Sequence, residues 1–115
     1  MPAFSPGDVV KLPFPDQAKL ARQYRPALVV SSSELQELHG LLWVLMITSA
    51  RNKPWAGDVE VIHPAEAGLP APSVIRCAKI IAIGATEVIK IGTLGPAQLR
   101  LAGNMLHRAL GIPPG

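Results

Sequence analysis

The chain has 115 residues, 49% hydrophobic and 17% charged, with a mean hydropathy of +0.30, which gives ample apolar material for one domain, 1–115, and excludes a disordered chain. The formal net charge is +3, and the excess is C-terminal: five Lys/Arg against two Asp/Glu after residue 60, six against six before it; that balance is compatible with a polyanionic partner without demanding one. The single cysteine, Cys77, rules out an internal disulfide, no apolar run approaches the length of a membrane span, and no basic-then-apolar leader opens the chain, so a cytoplasmic protein with no membrane partner is expected.

Gly7-Asp8-Val9-Val10-Lys11-Leu12 reads as a first strand, ended by Pro13 and Pro15 because proline cannot donate to a central ladder. The polar segment 16–23 reads as a loop with a helical turn. Residues 24–31 form the second strand. Ser31-Ser32-Ser33-Glu34 cap a short helix that runs through His39 and stops at Gly40. Residues 41–48 form the third strand, Arg51 to Gly57 a loop, and the alternating Val59-Glu60-Val61-Ile62-His63 a fourth strand. After a Pro/Gly loop from Glu66 to Pro72, Ser73 to Ile83 reads as a long fifth strand, and Val88 to Leu94 as its hairpin partner across Gly84-Ala85.

Pro96 to Leu110 is the one strong helix. Leu99, Ala102, Met105, Leu106, Ala109 and Leu110 make an apolar stripe, Pro96 opens the first turn, Arg108 complements the dipole, and Gly111 stops it. Gly103 costs roughly 1 kcal/mol relative to alanine in a helix interior, so a close packing contact is expected there. The chain is thus mainly β with a C-terminal helix: a small, curled antiparallel sheet or barrel. The strands at 24–31 and 41–48 are apolar on both faces, one for the core and the other for the helix or a second subunit.

No metal-ligand spacing links His39, His63 and His107, and neither GxxxxGK[ST] nor GxGxxG is present. The chemistry concentrates elsewhere. If strands two and three are antiparallel neighbours, Arg25 at the start of one meets Thr48-Ser49 at the end of the other. A guanidinium beside two hydroxyls at a sheet rim is suited to holding phosphate; a plain strand-edge arginine is the competing reading. Arg76 interrupts an apolar strand and must reach solvent, a carboxylate or a ligand, because an unpaired buried charge is costly. Trp55, near Lys53 and Asp58, is placed either to stack a nucleobase or to anchor its loop.

The ordered set Gly7-Asp8-Val9-Val10, Leu12-Pro13-Phe14-Pro15, Arg25-Pro26-Ala27-Leu28-Val29-Val30-Ser31, Ile47-Thr48-Ser49, the Gly68–Arg76 segment and Ile91-Gly92-Thr93-Leu94 resembles PemK/MazF-like toxins over nearly the whole chain. The resemblance implies an SH3-like barrel with a C-terminal helix and a homodimer. It implies a toxin of a type II toxin–antitoxin module, blocked by a cognate antitoxin, and a metal-independent endoribonuclease acting without a cofactor on single-stranded RNA. The products implied are a 2′,3′-cyclic phosphate and a 5′-hydroxyl, formed by attack of the RNA's own 2′-OH. It assigns catalytic roles to Arg25 and Thr48, with Ser49, Arg76, Trp55 and Lys53 as expected substrate-binding residues. In some members an aspartate follows the central arginine by two residues; this chain has Ala78, and a methyl group transfers no proton. Two further readings therefore stand beside the nuclease. One is a gyrase-poisoning toxin like CcdB, although the Trp-Gly-Ile ending of that group is replaced by Leu110-Gly111-Ile112. The other is a catalytically weak barrel that binds RNA or antitoxin.

Overall fold

The computed structural model describes residues 2–14 and 23–113. Among them are six strands, β1 (Asp8–Phe14), β2 (Gln23–Val29), β3 (Leu41–Ser49), β4 (Val59–Glu60), β5 (Ser73–Gly84) and β6 (Ile89–Thr93), with two helices, α1 (Ser33–His39) and α2 (Pro96–Leu110). Of the expected loop at 16–23, residues 16–22 lie outside the described residues and Gln23 instead opens β2. The strands form one curled antiparallel sheet, a half-barrel, in the order β4-β5-β3-β2-β1-β6. No helix among the described residues is long and apolar enough to cross a membrane.

Three expectations are corrected. β1 does not stop at Pro13 but continues to Phe14. Pairing with β6 ends at Lys11↔Ile89, so Pro13 lies where β1 has a strand on only one side, and there proline is tolerated. The fourth strand is only Val59–Glu60, because its one partner, β5, begins at Ser73: the Val61 N–H still donates to the Ser73 carbonyl at 2.9 Å, and beyond it Gln98 on the helix accepts from the Ile62 N–H at 3.1 Å and donates to the Glu60 carbonyl. Finally, β6 is not the hairpin partner of β5. The 3₁₀ turn Ala85–Glu87 carries the chain across to the far side of β1.

The two faces of the sheet bury separate clusters. Val9, Leu28, Leu45, Ile47, Ile75 and Cys77 pack on the α2 side, where Ala102 is fully buried and Leu99, Met105 and Leu106 complete the contact. Phe4, Val10, Leu12, Ala27, Val29, Leu42, Val44 and Met46 form the other cluster with Ala85 and Val88. This is the two-sided burial that the apolar β2 and β3 require. The helix stripe is buried only in its first turns, since Ala109 and Leu110 are exposed. Gly103 has nothing within 4 Å of where a Cβ would stand, so the expected close contact is absent in the single chain.

The loop after β4 closes the curl against β6. Gly68, at φ +74°, approaches so closely that a Cβ would lie 2.0 Å from the Ile91 carbonyl oxygen, and one on Gly92 would lie 2.3 Å from the Ala67 carbonyl carbon. α1 ends as the sequence predicts, at Gly40 with φ 67°, and Ser32 stands at the N-cap position without a side-chain capping bond.

Candidate functional site

The β2–β3 ladder runs Val29↔Val44, Leu28↔Leu45, Ala27↔Met46. Two residues further along each strand stand Arg25 and Thr48, which by strand alternation share the face of Ala27 and Met46, away from α2. The two residues of the sequence-predicted corner therefore stand on one face at the same rim of the sheet, with Arg25 exposed and Thr48 half-buried. Ser49 follows at the strand end, and its Oγ accepts from the Arg51 N–H at 3.2 Å.

Asn52 is a member of this corner that sequence reasoning missed. Its Nδ2 donates to Thr48 Oγ1 at 2.5 Å. With that lone pair occupied, the Thr48 O–H is left as a donor, the polarity a phosphate oxygen needs. The available signal was an amide four residues after a strand-end threonine.

Arg76 reaches a carboxylate. It pairs with Met46 across β3–β5, and its side chain is 10% exposed. Nε donates to Asp58 Oδ1 at 3.3 Å, and Nη2 donates to Asp58 Oδ2 at 3.1 Å and to the Lys53 carbonyl at 2.9 Å. The guanidinium carbon lies 4.3 Å from the Trp55 ring centroid. Asp58 is the second residue that went unassigned, although the buried arginine required such a partner. It also closes the turn that carries the tryptophan: the Trp55 N–H donates to Asp58 Oδ2 at 3.0 Å, and the Asp58 N–H to the Trp55 carbonyl at 3.1 Å. The whole 50–58 connection is thus pinned to β3 by Asn52 and to β5 by Arg76. Lys53 contributes its carbonyl to this brace and keeps its side chain exposed.

Ala78 sits elsewhere. Met46 pairs with Arg76 while Leu45 pairs with Ile80, so Cys77-Ala78-Lys79 form an irregularity in β5. Cys77 and Ala78 line a cavity of about 340 Å³ with Ala56, Gly57, Met105 and Arg108, on the helix side of the sheet. Burial, and then the negative charge of Asp58, push the Cys77 thiol above its ordinary value, so it stays protonated and is a poor nucleophile. Among the described residues no group of three or more His, Cys, Asp or Glu side chains is placed to hold a metal ion.

The family model of the PemK-like, MazF-like toxin of type II toxin–antitoxin systems matches residues 5–110. The chain belongs to that family. This MazF-like toxin superposes on MazF in the MazE–MazF complex from Deinococcus radiodurans with a TM-score of 0.77 at 23% identity, covering 98% of this chain and 100% of that one. A mycobacterial endoribonuclease in complex with its cognate antitoxin gives a TM-score of 0.74 at 21% identity, with both chains fully covered. The Mycobacterium tuberculosis toxin MazF-mt6 gives 0.69 at 21%, over 91% of this chain and 98% of that one. At these identities the superpositions speak for the fold. No curated protein matches the MazF-like chain in sequence.

The toxin also exposes an apolar surface at the end of α2. Trp43, Ile80, Ala82 and Leu110 line a depression of about 250 Å³, with Trp43 and Leu110 each about half exposed. Trp43 pairs with Ala82 and Leu45 with Ile80, so these side chains share the helix-side face.

Proposed function

We propose that this toxin is an endoribonuclease that cleaves single-stranded RNA, mRNA included, by metal-independent attack of the 2′-OH on the adjacent phosphate. The observation that carries this reading is the placement of Arg25 and Thr48 on one face of the sheet rim, each two residues beyond the Ala27↔Met46 pair, with Asn52 occupying the threonine's acceptor side. The neighbouring proteins described as endoribonucleases have the same fold. Attack by the substrate's own hydroxyl needs no protein nucleophile: the bond from O2′ to phosphorus forms as the bond to O5′ breaks, and the proton that the 2′-OH gives up to solvent is matched by one that solvent gives the leaving 5′-oxygen. It needs charge stabilisation on the phosphorane oxygens, and there a guanidinium and a directed O–H are effective. A guanidinium is a poor proton acceptor, so Arg25 is assigned to the developing charge and Thr48 to a non-bridging oxygen. The RNA strand continues across the braced loop, past Ser49, Lys53 and Trp55.

The toxin works as a homodimer, with the Trp43–Ile80–Leu110 surface covered by a second copy, and a cognate antitoxin of the MazE kind restrains it in the cytoplasm. Support comes from the exposed apolar area at the α2 end and from the antitoxin complexes of its structural neighbours. Incubation of a long RNA with purified toxin in EDTA tests the enzymatic reading. Discrete cuts that vanish in Arg25→Ala and Thr48→Ala are expected; the same cuts from both folded variants would remove the site.

A further inference from the structure

The resemblance implies that Arg76 is a substrate-binding residue, and its surroundings point to an indirect part in that binding. Nε and Nη2 of this buried guanidinium are committed to Asp58 and the Lys53 carbonyl and its carbon lies against the Trp55 ring, so turning its fork to a phosphate would break that brace. Trp55 is 45% exposed although one ring face lies against Arg76, so its open area falls on the opposite face and the edge. Asp58 joins the two roles: one carboxylate holds the guanidinium and closes the turn carrying the ring. At the start of the same connection Asn52 is bonded to Thr48, which ties the tryptophan's loop to the Arg25–Thr48 corner.

We propose that Arg76 is a positioning residue that fixes the plane of Trp55, and that the outward face of Trp55 takes one nucleobase of the RNA held at the Arg25–Thr48 corner. This rests on the RNA reading above. Every base has a π-face, so such a platform gives affinity and register with little sequence demand. The planar guanidinium is what makes the brace specific. Lysine can answer the charge of Asp58, but it offers no flat surface to lie beneath an indole. Lys53, exposed in the same loop, leaves a cation for the RNA backbone.

The test uses the full-length toxin and a 2′-O-methylated single-stranded oligonucleotide, which resists cleavage, with an abasic nucleotide moved along it one position at a time. Trp55→Ala is expected to weaken binding about 5- to 150-fold, the range of a single base–aromatic stack. At one position the abasic nucleotide should weaken wild-type binding equally and add nothing to Trp55→Ala. Arg76→Lys and Asp58→Asn, each confirmed as folded by circular dichroism, should raise KM for RNA cleavage with kcat little changed, and should lose the abasic effect. Binding in which Trp55→Ala and the abasic change add at every position would overturn the platform. An Arg76→Lys or Asp58→Asn enzyme with reduced kcat, unchanged KM and an intact abasic effect would overturn the positioning role. A wild-type toxin that neither binds nor cuts RNA would instead remove the RNA reading, and this inference with it.

Discussion

Arg76 and Trp55 are stacked, guanidinium carbon to ring centroid 4.3 Å, with Asp58 bonded to both residues. A charge that interrupts an apolar strand is thereby used to build a loop. The arrangement is also a stability element. Deleting one member of a buried, hydrogen-bonded ion pair strands the other, at a typical cost of about 3–5 kcal/mol. Arg76→Ala should therefore lower the denaturation midpoint strongly. The double change Arg76→Leu/Asp58→Leu should cost less than the sum of its single changes. Equilibrium urea unfolding of these variants beside the wild type measures this.

Thr48 is expected to matter through one hydroxyl. Thr48→Val keeps the shape and removes the donor, and loss of one donor to a developing oxyanion typically costs about 3–4 kcal/mol, or roughly 10²–10³ in kcat. Asn52→Ala leaves the hydroxyl and removes what directs it, so a smaller loss of about tenfold or less is expected, in line with a single hydrogen bond. Single-turnover cleavage rates for the two variants should fall in that order.

Two glycines should respond in opposite directions to alanine. At Gly68 the φ is positive and the Ile91 carbonyl oxygen lies 2.0 Å from where a Cβ would stand, so there is no room, and a loss of roughly 3 kcal/mol or more is expected. At Gly103 nothing lies within 4 Å and the backbone is helical, so alanine should gain about 1 kcal/mol. Thermal unfolding of both variants reads the sign directly.

Cys77 contributes a pH dependence at the alkaline end. Its thiol ionises above the ordinary 9.0 because burial, then Asp58, disfavour the thiolate. The folded chain therefore keeps this proton longer than the unfolded one. The contribution is complete below the unfolded value and is lost as pH rises through the folded one. As pH rises past the unfolded value the unfolded chain gives up this proton first, so the wild type should there lose stability more steeply than Cys77→Ala. Alkylation of the native protein should be slow and become fast on denaturation.

Much of this was legible in the sequence because local rules and tertiary context agree. Pro96 and Gly111 bound α2 at the residues where the structure bounds it. The apolar runs of β2 and β3 imply neighbours buried on both faces, and their antiparallel pairing brings Arg25 and Thr48 to one rim. What was not legible depends on partners distant in the chain. That Pro13 is tolerated follows from where β6 begins, at Ile89 opposite Lys11, and β6 crosses to β1 because a 3₁₀ turn at Ala85–Glu87 redirects it. Residues 61–63 alternate like a strand, but β5 begins at Ser73, opposite Val61, so the rest have no residue of that strand to pair with. Asp58 and Asn52 carry no pattern of their own; each acquires its role from a side chain 18 or 4 residues away.

The central claim is that the RNA supplies its own nucleophile at the Arg25–Thr48 corner. The most direct measurement is cleavage, in EDTA, of an RNA carrying a mapped cut site and of the same RNA with a single 2′-deoxynucleotide 5′ to the scissile phosphate. A 2′,3′-cyclic phosphate and a 5′-hydroxyl are expected from the first RNA and no cut at that site in the second. Cleavage of the 2′-deoxy substrate at the same phosphate would contradict that claim.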